Sequence, residues 1–305
     1  DLNKDKIFYV IRRFSHAGIF SYLSFILNHI KIAKDNDFIP IVDMENFTSP
    51  YNEEKKIRNT NNAWEYYFHQ TCSYSLNEVY SSHNVIFSKT DFNYKMEYRI
   101  HLVPEFRDFK NNEINLLTDY TNFIDEFFLN KKLLNKKILG IHFRGTSYKT
   151  SRGHIFPATQ KQIKQAVDKL LIKEKFDKIY LCTEEKQYLD FFKKNFEDKL
   201  IFIDTFRSNK NDAFLKYPRV NHRYLLGDEA VKEALILSRC QSLLFVRSNI
   251  INAANYFADE KQNLYEIFNG FNSRNQFVAR WLWYLKNKFP KNFFGLKDEL
   301  LISKN

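Results

Sequence analysis

Glycine is scarce in this chain: 7 residues in 305, where ordinary usage would supply roughly 20. Neither G-x-G-x-x-G nor G-x-x-x-x-G-K-[ST] occurs. A bound phosphate would therefore have to be held by side chains and helix N-termini rather than by a glycine cradle. Cysteine is equally sparse. Cys72, Cys182 and Cys240 stand alone without a C-x-x-C pair, which argues against zinc and against a disulfide framework. Cys182 and Cys240 lie in apolar runs and read as small core residues, in keeping with a reducing compartment. No apolar run reaches the length of a membrane span, and the chain opens in polar residues without a secretory apolar stretch. The expectation is a cytoplasmic protein. Repeats, low-complexity tracts and Pro/Gly-rich linkers are also missing.

Phenylalanine and tyrosine are abundant, at 31 and 18 residues. Together with the many Lys, Asn and Ile they read as a compositional bias rather than a functional signal. The formal net charge is +11. Such an excess attracts nucleic acid, anionic lipid or phosphorylated substrates. Lys34, Lys136, Lys137, Lys193 and Lys194 are scattered along helix-like stretches and read as solvated faces. No RNP motif, zinc-finger spacing or recognition helix accompanies them, so nucleic acid is not an expected partner.

The order of elements predicts an α/β protein. "KIFYVI" (6–11) reads as a strand, "RRFSHAG" as a turn, and "IFSYLSFILNHIKIAKDND" as a helix with an apolar stripe from Ile19 to Ile30. "FIPIVDM" is a second strand ending at Asp43. This β-α-β start favours a parallel sheet with ligands at the carboxyl ends of its strands. Residues 46–95 are aromatic and polar without clear period, and 112–135 read as helical. From Lys136 a second series alternates strictly: strands "ILGIHF", "KIYLCT", "LIFID", "SLLFV" and "NLYEIF" are separated by four helical stretches. The division expected is 1–135 and 136–270, two Rossmann-like domains facing a cleft. A helical segment, 271–305, is expected to pack back on the first domain.

Polar residues cluster at the strand ends of the second series. His142, Arg144, Thr146 and Lys149 follow "ILGIHF"; Thr183 and Glu184 follow "KIYLCT"; Asp204 ends "LIFID"; Arg247, Ser248 and Asn249 follow "SLLFV" at a helix start. Two arginines, a histidine and helix N-termini suit a diphosphate, because arginine offers two parallel donors and the helix end adds positive potential. Asp204 could accept from a base or a ribose. Ser248 and Thr183 also suit helix N-caps, and His142 alone would suit a core position.

"GIHFRGTSYK" (140–149) with a downstream proline resembles the H-x-R-x-T-[D]-K motif of the fucosyltransferase superfamily, which includes the nodulation-factor and core α1,6-fucosyltransferases and the protein O-fucosyltransferases. "FVRSNIINAANYFA" (245–258) is similar to their late strand–Ser–helix motif. "HAGIFSYLSFILNHIKIAKDNDFIPIVDMEN" (16–46) and "NAWEYYF" (62–68) resemble N-terminal segments of related bacterial glycosyltransferases. The resemblance implies a GT-B enzyme that uses GDP-fucose, inverts at the anomeric carbon and needs no metal or other cofactor. It places Arg144 on the β-phosphate with His142 beside it and Asp204 on guanine or ribose. It puts Ser248 and Asn249 against the diphosphate, with the turn around His16 and Gly18 facing the nucleotide. Two departures stand out. Gly145 occupies a position where the family often carries a second Arg, and Ser147 and Tyr148 replace the usual Asp and Lys. Arg247 is a candidate to restore the lost charge.

No Asp or Glu lies between Gly145 and Lys161. A proton acceptor for the sugar acceptor's hydroxyl is therefore His154, or Asp43 or Glu45 at the end of the second strand, or else the mechanism needs little base. Residues 59–69 could wall an acceptor sugar or simply pack. The C-terminal "ARWLWYLKNKFPKNFFGLK" could pack or touch a membrane surface. The functional expectation is transfer of fucose, or of another GDP-linked sugar such as heptose or mannose, to a bacterial surface glycan, with peripheral contact at the inner membrane. The alternative from another class is a nucleotide- or glycan-binding protein without catalysis.

Overall fold

The computed structural model describes residues 2–90, 113–145, 147–209 and 213–304. The chain divides into two compact units, one of residues 1–126 and 217–232, the other of residues 127–216 and 233–305. The first domain thus ends before residue 135, and a later segment returns to it.

In the first unit, β1 (Leu2–Ile11) lies between β2 (Ile39–Val42) and β3 (Ser82–Phe87), all parallel. Helix α1 (Ile19–Asp35) joins β1 to β2 and buries Tyr22, Phe25, Ile26 and Ile30. Phe8, Val10, Ile41 and Val79 form a small core beside the sheet. Short α2 (Leu76–Tyr80) precedes β3, and α3 (Thr118–Asn130) leads out of this unit. Trp64, Tyr66, Tyr67 and Phe68 are fully buried. Tyr67 stacks on Tyr224 at 5.9 Å and donates to its carbonyl oxygen. The aromatic stretch 59–69 therefore packs rather than presenting its rings to a ligand.

The second unit carries a six-stranded sheet. Its strands are β4 (Ile138–His142), β5 (Lys178–Cys182), β6 (Leu200–Ile201), β7 (Ser242–Phe245), β8 (Asn263–Phe268) and β9 (Glu299–Lys304), in the spatial order β6-β5-β4-β7-β8-β9. The first five are parallel, and β9 runs antiparallel along the β8 edge. Helices α4 (Gln160–Glu174), α5 (Lys186–Phe196), α6 (His222–Ser238) and α7 (Asn249–Phe257) make the crossovers. Every residue of β4 and β7 is buried, as expected of strands covered on both faces. Gly140 in β4 permits that cover: a Cβ there would lie 2.7 Å from Leu243 and 2.9 Å from Leu237 of α6.

The alternation expected from residue 136 onward is present, and the fold is α/β with parallel sheets. The segment 271–305 falls within the second unit. Helix α8 (Gln276–Lys286) inserts Trp283 against Phe156 and Leu296, and β9 extends the sheet.

Candidate active site

β4 is the first strand of the second series, and β5 and β7 flank it. The chain steps away from it in opposite directions along the sheet, so the gap between the ends of β4 and β7 is a topological switch point, where open α/β sheets bind ligands. His142, the last residue of β4, and Ser248, just beyond β7, meet across it. The Ser248 hydroxyl lies 3.1 Å from His142 Nδ1, and both residues are buried. Burial, and secondly the charge of Arg144, push the imidazole down to about 3, so it is neutral at physiological pH. Ser248 is the N-cap of α7 but makes no side-chain cap bond. Its hydroxyl bonds His142 and so does not cap the leading amides of α7, and a helix N-terminus of this kind suits an anion.

Arg144 follows two residues after the strand. Its Nε lies 2.8 Å from Glu184 Oε1, its guanidinium sits 4.9 Å from the Tyr148 ring centroid, and its side chain is about one-third exposed (35%). The Tyr148 ring is in turn 5.2 Å from that of His154. His154 is lowered from its ordinary value of 6.5, chiefly by burial and then by Arg144. Lys149 rests over Trp283 at 4.9 Å and Tyr188 at 5.8 Å, and no carboxylate pairs with it among the described residues. Thr146 lies outside the described residues.

Gly145 has a steric cause. Tyr188 stacks on Phe143 with ring centroids 3.8 Å apart, and a Cβ at residue 145 would lie 2.3 Å from the Tyr188 hydroxyl oxygen. The Gly145 amide donates to Glu185 Oε1 at 2.7 Å. No second arginine fits while that tyrosine is in place.

Among the remaining strand-end candidates, Thr183 is buried and structural: it donates to the Phe143 carbonyl at 2.6 Å and accepts from the Glu185 amide. Arg247 does not supply free charge. Its guanidinium forks onto Glu266 of β8 at 3.1 and 3.2 Å, and Glu266 is buried. Asp204 is exposed, and Asn249 is half-buried in the first turn of α7. Arg207 was not a sequence candidate, since no motif marks it. Its guanidinium donates to the carbonyls of Thr183, Thr205 and Ile203, tying the loop that bears Asp204 to the end of β5.

The first-unit candidates divide likewise. His16 and Gly18 are exposed in the turn before α1, where Gly18 is the N-cap with φ −68°. Ordinary residues adopt that conformation, so glycine is not required there by backbone strain. Asp43 is buried, and its carboxylate accepts from the amides of Glu45 and Asn46, the Asn46 side chain and the Tyr80 hydroxyl. That carboxylate organises the turn after β2. Glu45 is exposed.

No protein-family model and no curated protein sequence matches this chain. Its fold is matched by solved structures. The fucosyltransferase NodZ from Bradyrhizobium aligns with a TM-score of 0.60 at 14% identity, over 98% of this chain and 99% of its own. A NodZ α-1,6-fucosyltransferase soaked with GDP-fucose gives 0.57 at 14% identity, over 86% of this chain and 95% of that one. POFUT1 in complex with GDP-fucose gives 0.50 at 9% identity, over 85% and 96%. The resemblance first read from short motifs thus extends along nearly the whole chain, which has the GT-B fold of these fucosyltransferases.

Proposed function

We propose that this chain is a glycosyltransferase that moves fucose from GDP-fucose to a glycan hydroxyl with inversion. The observation that carries this reading is the His142–Ser248 bond at the β4/β7 switch point. Ser248 thereby does not cap the N-terminus of α7, which suits a diphosphate, and Arg144 extends from the same strand end. The fold shared with NodZ and POFUT1, whose structures were obtained with GDP-fucose, supports the choice of donor. A GDP-heptose or GDP-mannose donor would use the same diphosphate contacts.

In this reading the acceptor oxygen attacks the anomeric carbon from the face opposite the nucleotide. The bond from that carbon to the β-phosphate oxygen breaks, its electron pair leaves with GDP, and the acceptor's proton passes to a base. Arg144, Lys149 and the first amides of α7 stabilise the departing diphosphate. Neutral His142 holds the Ser248 hydroxyl toward the β4 end. His154 is our choice of base, because its lowered pKa keeps it unprotonated at neutral pH. Asp204 remains the candidate for ribose or guanine and Asn249 for the diphosphate. Side-chain cations replace a metal in this scheme, so EDTA should leave turnover unchanged. The natural setting proposed is assembly of a bacterial surface glycan at the cytoplasmic face of the inner membrane.

Donor turnover with Arg144→Ala is the test. Removing one such donor costs about 2.7–4 kcal/mol in barrier, a loss of roughly 10²–10³ in kcat. Turnover equal to the parent would remove the diphosphate from this strand end. GDP binding without any hydrolysis or transfer of GDP-fucose, GDP-mannose or GDP-heptose would favour a binding protein.

A further inference from the structure

Helix α8 turns most of its apolar surface outward. Ala279 and Trp283 are its buried residues, whereas Phe277 is 77% exposed and Trp281 67% exposed, with Val278, Tyr284 and Leu285 exposed beside them. The turn that follows adds exposed Phe293 and Phe294. Soluble proteins scatter single apolar side chains over their surfaces, but a contiguous aromatic patch marks an interaction site.

The segment that carries this patch is basic along the chain. Residues 267–297 contain Arg274, Arg280, Lys286, Lys288, Lys291 and Lys297 and no Asp or Glu. Aromatic rings interleaved with Lys and Arg fit the boundary between lipid headgroups and acyl chains, where rings partition shallowly and cations meet anionic phosphates. A second copy of this chain would bring the same cations face to face in a two-fold contact. We propose that α8 and the 287–294 turn form a docking surface for an anionic lipid bilayer. This surface is independent of the donor-site reading, so either can fail without the other.

Vesicle flotation provides the test. Phosphatidylcholine vesicles with and without about 30% phosphatidylglycerol, at about 0.1 M and about 0.5 M salt, separate charge from apolar contact. Trp64 and Trp283 are buried, so Trp281 reports its surroundings through its emission. Binding to the anionic vesicles at low salt, with a blue shift that Trp281→Phe abolishes, is the expected result. The exposed triple variant Arg280→Gln, Lys288→Gln, Lys291→Gln should bind about a hundredfold more weakly. Phe277→Ser with Trp281→Ser should also weaken binding, with the far-UV spectrum unchanged. The proposal is overturned by absence of binding, or by equal binding to neutral vesicles. It is also overturned by binding to a soluble polyanion as strong as to vesicles with no blue shift. A lipid-free dimer that Phe277→Ser dissolves would assign the patch to a second copy instead.

Discussion

Arg144 has two calls on its guanidinium, a carboxylate and a proposed phosphate. The Glu184 contact joins side chains that are 35% and 44% exposed, and exposed pairs contribute little, about 0–1 kcal/mol. A diphosphate carries more charge and can displace or share that contact. Glu184→Gln should therefore change stability by less than about 1 kcal/mol and should not weaken GDP binding, read by denaturant unfolding and by titration. The two histidines titrate in different experiments. If His154 is the base, its lowered pKa places the acid limb of kcat/KM below 6.5, with activity lost as pH falls. His154→Gln should lower the rate and flatten that limb. His142 affects the fold. Its value of about 3 lies below the ordinary 6.5, so between those pH values the unfolded chain binds more protons, and stability is lost as the pH is lowered through that window. The stake is on the order of a few kcal/mol, and His142→Gln should shallow the decline measured by urea unfolding at successive pH values.

At the scale of elements, the strict alternation of apolar strands and helices was legible from residue 136 onward, because buried parallel strands are short continuous apolar runs. Two edge strands were not. β3, "SHNVIF", is largely exposed or half-buried, and β9, "ELLISK", pairs only with β8. Their patterns are diluted by the solvent on one side. "LIFID" read as a longer strand than it is: the Ile203 carbonyl accepts from Arg207 rather than from a neighbouring strand, so the ladder ends at Ile201. The site followed the same logic. The positions of His142, Arg144 and Ser248 came from strand ends and were readable. The partner of Arg247, Glu266, was not legible, because it becomes a neighbour only through the pairing of β7 with β8. The donors to Asp43 lie in the following turn and in Tyr80, which the strand pattern does not reveal. Close packing also sets a prediction at this scale. Gly140→Ala would force Leu237 and Leu243 aside, costing about 1–3 kcal/mol of unfolding free energy.

Over the whole molecule, the +11 charge resolves into distinct uses. Arg207 and Arg247 are spent on carbonyls and a buried carboxylate, Arg144 and Lys149 stand at the proposed donor site, and six cations gather in residues 267–297. At 14% identity to NodZ, the fold is matched along 98% of the chain. The nucleotide is therefore the feature to measure first. Thermal unfolding with GDP, UDP, CDP and ADP, each followed by titration, addresses it directly. GDP at about 100 times its dissociation constant should stabilise the protein by about 2.7 kcal/mol, with the gain largely lost in Arg144→Ala. Stabilisation by UDP alone, or an equal gain from GDP in the Arg144 variant, would contradict a guanine-nucleotide diphosphate held at the end of β4.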